Sequence, residues 1–469
     1  MKPFLFILAL LLSGCAPAVR PGAPLMEKVS LQKSLTNSNP ALGKNKEAEL
    51  PEKWWRAFHD EKLDSLVALA LTGNPALEEA GDRLHEAQAA VIVSGASLDP
   101  HIDSIGKFTR QRLSRNGNHV IYNGKTSTIA DIFPLAVNYN LDLWGRNEEI
   151  LFASRASEEA AAAKYRLGAL MLSSAVIKTY FALNAARKLA EDQEKIVHLT
   201  EEKARLLDAA YRAGIKPKTP SVSSNAALGE SRAVLEAISK RRESLNFALH
   251  ELMGRMPDDE TRTSSSSVPE NFDIPQRIDL DVVSKRPDIQ VALWNVRKQS
   301  HLEKVARDAF YPNVNLFALA GFNSIGLSDL LGPGGATYAY GPAIDLPIFE
   351  GGTLQGRLHE REAAYDEAVH AYNRVLLAAI RQIADALSAM RYERMRLDER
   401  THVLELRQSE AGIAGAGFRS GISGRLSCLE AEIRLNREKM NTMEETLNWL
   451  YSITDAATAL GGGFGNWPS

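Results

Sequence analysis

The chain has 469 residues and a formal net charge of −3 at pH 7, so it lacks the basic field that binds nucleic acid. Hydrophobic residues make up 45% of it, which is enough for a sizeable core. Beyond the N-terminus, no segment holds the run of about 18 apolar residues that a membrane-spanning helix needs. If the chain crosses a membrane, we therefore expect it to cross as β-strands.

The N-terminus predicts a bacterial export signal with a lipid attachment site. The apolar run at 4–12 is too short to span a bilayer but suits the core of a signal peptide. It ends in Leu12-Ser13-Gly14-Cys15, which resembles the lipobox of bacterial lipoproteins. By analogy with those lipoproteins, Ala16 after the Cys, in place of Asp, favours sorting to the outer membrane. We expect a signal peptide at 1–14, lipidation of Cys15, and an extended tether at 15–53.

The remainder consists of two halves that carry the same landmarks in the same order, which indicates an internal duplication. We place the first repeat at 54–256, a Ser-rich linker at 257–277, the second repeat at 278–463 and a C-terminal tail at 464–469. The paired landmarks are Asn74-Pro75-Ala76-Leu77 with Arg286-Pro287-Asp288-Ile289, Asp99-Pro100 with Tyr311-Pro312, Leu141-Asp142-Leu143 with Ile344-Asp345-Leu346, and Tyr211-Arg212-Ala213-Gly214-Ile215 with Phe418-Arg419-Ser420-Gly421-Ile422.

Each repeat contains a predicted β-hairpin, at about 99–143 and 312–349. Apolar residues alternate with small or polar ones over 133–143 and again over 337–348. This pattern suits strands between lipid and a water-filled lumen, although a half-buried hairpin of a soluble protein has the same alternation. Four strands cannot close a barrel, and an open edge in hydrocarbon leaves backbone groups unpaired. Strands in a membrane would therefore require a cyclic oligomer, and three chains would supply twelve strands.

Long helices come after each hairpin. Ala and Leu recur with a period of about 3.5 residues, the coiled-coil pattern, and a helix over about 147–213 would be roughly 100 Å long. Gly214 and Gly421 mark helical-hairpin turns at about 213–220 and 420–426. We expect Pro220 at the first position of the next helix. The glycines at 412, 415 and 417 are expected to loosen the helix before the second turn.

Together these features resemble the outer-membrane efflux proteins, the TolC-like outer-membrane factors, and more narrowly their lipoprotein branch that serves RND-type pumps. The resemblance covers nearly the whole mature chain. It rests on the order and duplication of the lipobox, the Trp54-Trp55-Arg56-Ala57-Phe58 opening, the Asn-Pro and Arg-Pro helix starts, the strand ends, the paired turns and the closing Ala459-Leu460-Gly461-Gly462-Gly463.

The resemblance implies an α+β membrane protein. It would be a homotrimer whose twelve-stranded outer-membrane β-barrel, with four strands per chain, is continuous with a long periplasmic α-helical coiled-coil barrel. The implied function is the outer-membrane channel of a tripartite efflux system that exports small toxic compounds or drugs, with no chemistry and no cofactor of its own. The implied partners are outer-membrane lipid, a periplasmic adaptor (membrane fusion) protein and an inner-membrane pump of the RND type, or of the MFS or ABC class.

The resemblance also supplies candidate pore-gate residues. In the family, acidic residues shortly after the second turn form a ring around the pore, and their two positions fall here on Ser427 and Glu430. A carboxylate ring of this kind would bind cations. Arg425 and Arg419 are candidate ion-pair partners, and Phe418 is a further candidate of the gate. The alternative for Glu430 is an ordinary solvated helix residue.

The two turns are the implied adaptor-docking tip. The first turn departs from the family pattern, because it continues as Lys216-Pro217-Lys218-Thr219-Pro220-Ser221 where a short polar turn is usual. Its two prolines would stiffen it and alter which adaptor fits. The docking candidates are Tyr211, Arg212, Gly214, Ile215, Lys216, Gly421, Ile422 and Ser423.

Two other functions share some of these features. One is an outer-membrane conduit of a type I protein secretion system, which has the same architecture and which the lipobox disfavours. The other is a non-channel coiled-coil structural lipoprotein, which the alternating strands disfavour.

Enzymatic functions have weak support in the sequence. His85-Glu86 and His359-Glu360 begin the zinc-protease pattern, but Ala89 and Ala363 occupy the second His position. Cys428 is the only cysteine besides the lipidation candidate, so neither a disulfide framework nor a cysteine metal site is available. We therefore predict no metal site and no catalytic residue.

Overall fold

The computed structural model describes residues 22–25, 53–112, 114–116, 124, 126–257 and 283–463. The signal peptide, the lipidation candidate Cys15, nearly all of the tether and linker, and the C-terminal tail lie outside the described residues. The elements, in chain order, are a 3₁₀ turn Trp54–Phe58, α1 Glu61–Gly73, α2 Pro75–Ala96, β1 His101–Arg112, β2 Thr126–Asn140, α3 Arg146–Arg212, α4 Lys218–Leu252, α5 Pro287–Asp308, β3 Asn313–Ile325, β4 Ala336–Asp345, α6 Thr353–Arg419 and α7 Arg425–Ala459.

The helices confirm the internal duplication. α2 and α5 have 22 residues each, α3 and α6 have 67 each, and α4 and α7 have 35 each. Pro75 and Pro287 are the first residues of α2 and α5, where a missing backbone N–H costs nothing. Each repeat therefore contains the same series of one 22-residue helix, one β-hairpin and one long helical hairpin, and in the first repeat α1 precedes this series.

The residue before each of these prolines makes the same kind of contact in both repeats. Asn74 Nδ2 donates to the carbonyl oxygen of Leu252, the last residue of α4, at 2.9 Å. Arg286 Nη1 donates to the carbonyl oxygen of Ala459, the last residue of α7, at 2.6 Å. Two different side chains thus satisfy a helix-terminal carbonyl that the helix itself leaves unpaired.

The four strands form one antiparallel sheet in the order β1-β2-β3-β4. From Leu135 onward the predicted alternation of β2 continues across β3 and β4: Leu135 lies opposite Ala320, and Ala320 lies opposite Tyr338. A register shift between Ile132 and Leu135 interrupts the alternation and moves Phe133 to the other face, which the sequence pattern did not predict. The other face of the sheet carries a polar row in which Asp131 lies between Lys107 and Asn323 and accepts a hydrogen bond from Asn323 Nδ2. From β2 to β4 one face is therefore mainly apolar, and the other carries charges and amides.

The predicted strand ends need correction. The structure ends β2 at Asn140 and β4 at Asp345, several residues before the ends that the alternation predicts. Asp142 takes a positive φ of 44°, and its carboxylate accepts hydrogen bonds from the backbone amides of Asn147 and Glu148, both at 2.9 Å. It therefore caps the first turn of α3 instead of continuing the strand.

Two compact units can be distinguished, and each combines parts of both repeats. The described residues of the first unit lie within Met1–Leu25, Arg83–Ala161 and Val291–Asn373 and include the sheet. Those of the second lie within Met26–Asp82, Ala162–Gln290 and Arg374–Ser469 and include both helical-hairpin turns. The sequence repeats and the compact units are thus different divisions of the chain.

The second unit has an aromatic core at the predicted start of the first repeat. Trp54 and Phe58 are 0% and 1% exposed, and Phe58 packs edge-on against Phe181. Tyr180 donates its hydroxyl to Asp60 Oδ2 at 2.6 Å, while Asp60 Oδ1 caps α1 through the amides of Lys62 and Leu63. These contacts fix the 3₁₀ turn and the start of α1 on α3.

One stretch of α3 is long and apolar enough, by length and composition, to cross a membrane. Of that stretch, 67% is buried in the protein, as in an ordinary core helix. The buried residues of α3 include Leu170, Val176 and Ile177. The burial agrees with the coiled-coil packing predicted from the period of the sequence.

Candidate functional site

The two helical-hairpin turns have the same backbone hydrogen bonds. Gly214 and Gly421 have φ of 70° and 72°. The amide of Ile215 donates to the Ala210 carbonyl oxygen and that of Gly214 to the Tyr211 carbonyl oxygen, each at 2.9 Å. In the second turn Ile422 donates to Gly417 and Gly421 donates to Phe418 in the same pattern. Both turns are Schellman motifs, in which glycine takes the left-handed conformation without steric cost.

Each turn projects an isoleucine into solvent. Ile215 is 76% exposed and Ile422 is 85% exposed, whereas in many Schellman motifs this position packs back on the helix. Tyr211 and Phe418, at the equivalent helix ends, are 40% and 42% exposed. Each turn therefore has an apolar tip, made of an exposed isoleucine and a partly exposed aromatic residue.

The turns differ on the C-terminal side of the isoleucine. In the first, Pro217 is the N-cap of α4 and Lys218 is its first residue, so Pro220 stands two positions further into the helix than predicted. A proline there is tolerated because the first amides of a helix have no partner within it. In the second, Gly424 is the N-cap of α7, and the Ser423 amide donates to the Gly417 carbonyl oxygen at 3.1 Å. The first turn is thus stiffer and more basic.

Arg425, one of the gate candidates, connects α7 to α3. Its Nε and Nη2 donate to Glu202 Oε1 and Oε2 at 2.7 and 2.8 Å, a bidentate pair. Its Nη1 lies 3.4 Å from Glu432 Oε1, and its guanidinium carbon lies 5.7 Å from the centre of the Phe418 ring. The hydrogen bond from Arg425 lowers the pKa of Glu202, although partial burial opposes this. Arg425 therefore joins three helices at the tip.

Glu430 makes a second connection between the same helices. Its Oε1 accepts a hydrogen bond from Lys203 Nζ at 2.8 Å, and its side chain is 47% exposed. This hydrogen bond, aided by the positive charges of Lys203, Arg434 and Lys216, holds the pKa of Glu430 below its usual value. Glu430 is therefore ionised at neutral pH, but in this structure an adjacent ammonium compensates its charge.

The remaining predicted residues have local contacts. Arg212 pairs with Asp208 one turn earlier in α3, at 2.7 Å. Ser427 is exposed in the first turn of α7, where its amide donates to the Gly424 carbonyl oxygen. The predicted ion-pair partnership between Arg425 and Glu430 is not the one observed, because Arg425 binds Glu202 and Glu432 instead. Arg419 is the last residue of α6 and lies next to Gly415.

Two residues of the first repeat belong to this site without having been predicted from the sequence. Glu202 and Lys203 are adjacent in α3 and bind residues 223 and 227 positions later in the chain. A coiled-coil pattern places charged residues at helix edges, but one sequence cannot pair helices that are so far apart. The one local indication in the sequence was that Glu202 and Lys203, which are adjacent, carry opposite charges.

The glycine run before the second turn does not interrupt the helix. α6 continues through Gly412, Gly415 and Gly417 to Arg419. Between α6 and α7, Arg434 Nη2 donates to Glu410 Oε1 at 2.8 Å, which fixes the two helices just above the turn. Within the part of the chain that the structure describes, no three His, Cys, Asp or Glu side chains form a group that could hold a metal ion.

Comparison with known proteins identifies the family. The model of the family "Outer membrane efflux protein" matches residues 66–255 and 281–462, which are the two repeats. The "Multidrug resistance outer membrane protein MdtP" of Escherichia coli is 26% identical over 474 residues, covering 97% of this chain and 94% of that relative.

Solved structures agree with the fold. The CmeC outer membrane channel of Campylobacter jejuni has a TM-score of 0.83 and 25% identity, covering 96% of this chain and 95% of that one. The outer membrane protein VceC of Vibrio cholerae has a TM-score of 0.79 and 25% identity, covering 89% and 100%. The mostly helical fold with one four-stranded antiparallel sheet and an internal repeat is therefore confirmed. The chain belongs to the outer membrane efflux protein family.

Proposed function

We propose that this chain is the outer-membrane channel of a tripartite efflux system that exports small toxic compounds or drugs. The observation that carries the proposal is the amphipathic sheet, joined in each repeat to a helical hairpin of 67 and 35 residues that ends in an exposed apolar tip. The similarity to a multidrug resistance outer membrane protein supports export of drugs as the function. No catalytic step is part of the proposal.

The unit of function in this proposal is a homotrimer. Among the residues that the structure describes, β1 and β4 each pair with one neighbouring strand, so the sheet has two edges. Unpaired backbone groups cost several kcal/mol each in hydrocarbon, which makes an open sheet untenable there. Edge-to-edge pairing of β1 with β4 in three chains closes a ring of twelve strands and leaves the polar face inside.

The helical-hairpin turns are the proposed contact with the other components. The exposed Ile215 and Ile422, with the flanking aromatic and basic side chains, would dock a periplasmic adaptor that connects to an inner-membrane pump. The pore gate would be formed by the segment from Phe418 to Glu430, with Arg425 and Glu430 holding α7 on α3. Lipidation of Cys15 would anchor the chain in the outer membrane.

Two measurements test this function. The purified protein should migrate as a detergent-stable, heat-sensitive trimer and conduct ions across a planar bilayer. A cell that lacks the gene should become more susceptible to drugs, dyes or detergents. A monomer without conductance would contradict the channel, and conductance without any change of susceptibility would favour a protein-secretion conduit.

A further inference from the structure

A groove lies between α7 and the first helical hairpin, beside the connections of Arg425 and Glu430. It has a volume of about 620 Å³, within the range of roughly 300 to 1,000 Å³ that small-molecule sites occupy. α3 contributes Lys203, α4 contributes Ser224, and α7 contributes Glu430. All of these elements lie in the second compact unit, so the groove belongs to one folded body.

Positive charge predominates in the groove. Among the described residues that line it, Glu430 is the one carboxylate, and four side chains are cationic: Lys203, Lys216, Arg434 and Arg437. Lys203 is bound to Glu430, and Arg434 donates to Glu410 outside the groove. Lys216 and Arg437 make no ion pair with any residue that the structure describes. Within the described part of the chain, two cations of the groove are therefore without an ion-pair contact, although the charge of Lys216 acts on Glu430 from a longer distance.

Hydroxyl groups complete the lining. Ser223, Ser224 and Thr200 line the groove, and Ser224 and Thr200 are each only 5% exposed. The Ser224 Oγ is buried and has no hydrogen-bond partner among the described residues. An unpaired buried hydroxyl costs about 1 to 3 kcal/mol and is rare in native proteins unless a ligand or water satisfies it. Because Ser224 lines the groove, a change of its χ1 rotamer would bring this donor to an acceptor that enters the groove.

We propose that this groove binds a small oxyanion with two or more negative charges. Lys216 and Arg437 hold the anion, the Ser224 hydroxyl donates to it, and the anion competes with Glu430 for Lys203. Ammonium and guanidinium groups form their strongest hydrogen bonds with such oxygens. The competition links occupancy of the groove to the contact that holds α7 on α3, and this last consequence rests on the proposed function.

Isothermal titration calorimetry of the full chain in detergent, with inorganic pyrophosphate at constant ionic strength, tests the proposal. Lys216→Ala and Arg437→Gln should each weaken binding about tenfold, since each removes one charge-assisted contact. Lys218→Ala removes the same charge two residues away and outside the groove, so its affinity should equal that of the wild type. Glu430→Gln should bind several-fold more tightly, because it removes the competing carboxylate.

Three results would overturn the proposal: no binding by the wild type, equal weakening by Lys218→Ala, or unchanged affinity in both groove variants. Binding of hexaglutamate without binding of pyrophosphate would assign the groove to an acidic protein segment and would also overturn it. Wild-type migration of each variant in detergent shows that it has folded. Conductance without pyrophosphate tests the channel separately, so failure of either idea is visible without the other.

Discussion

The bidentate pair between Arg425 and Glu202 makes a quantitative prediction about the gate. If the pore opens by separation of α7 from α3, Arg425→Gln removes a charge-assisted connection that only the closed state contains. A pair of this geometry stabilises by about 1.5 to 3 kcal/mol when shielded from water. Here the side chains are 30% and 41% exposed, so solvent screening reduces the value to about 1 to 1.5 kcal/mol per chain.

This energy corresponds to about a tenfold change in the opening equilibrium of one chain. If three chains open together, the factors multiply to about a thousandfold, which would turn a rarely open channel into a mostly open one. Single-channel recording in planar bilayers measures the open fraction directly. We expect Arg425→Gln and Glu202→Gln to raise it to a similar extent and the double variant to add little.

Arg407→Gln is the matched control. Arg407 pairs with Glu410 in its own helix at 2.6 Å, so its loss removes a charge near the tip without separating helices. Its open fraction should match that of the wild type. Independent, additive effects of Arg425→Gln and Glu202→Gln, or equal opening in the control, would refute the reasoning.

The contacts of the tip and the sheet allow three further predictions. The ion pairs with Arg425 and Lys203 lower the pKa of Glu202 and Glu430, so they stabilise the contact of α7 with α3 above the usual Glu pKa of about 4.3. This stabilisation is lost as the pH falls through the lowered pKa. The open fraction should therefore stay constant from about pH 8 to pH 5 and rise below about pH 4. Glu430→Ala should change single-channel conductance and its block by divalent cations, and no change in either would exclude Glu430 from a pore ring. Gly321→Ala should impair trimer assembly on gels, since its Cβ would lie 2.1 Å from the Ile132 carbonyl oxygen. Assembly of this variant at the wild-type level would contradict the prediction.

Local chemistry made much of the fold predictable from the sequence. Gly214 and Gly421, each just after a long helix, allowed the positions of both turns to be predicted, because glycine takes a positive φ there without strain. The predicted helix over about 147–213 is confirmed as Arg146–Arg212, since the period and the terminal glycine agree. The strand ends were less predictable, because the side chain of Asp142 can either continue an alternating pattern or cap a helix.

The candidate site was only partly predictable. Arg425 and Glu430 are close in sequence, which suggested an ion pair between them. In the structure Arg425 instead donates to Glu202, and Glu430 accepts from Lys203. Such pairing depends on which helix faces which, and that is decided by packing of the apolar stripes. The unpaired hydroxyl of Ser224 is likewise invisible in a sequence, since burial depends on the neighbouring helices.

The equal lengths of the repeated helices have a consequence for any partner at the tip. In the proposed trimer, the two turns of each chain present six exposed isoleucines in all, and the six turns have the same backbone conformation. A ring of six identical partner subunits could therefore contact six similar apolar tips. The residues beside these tips would alternate around the ring, with Lys216 and Pro217 beside one isoleucine and Ser423 and Gly424 beside the next. Identical partner subunits would then bind in two unequal environments, one stiff and basic and the other small and neutral.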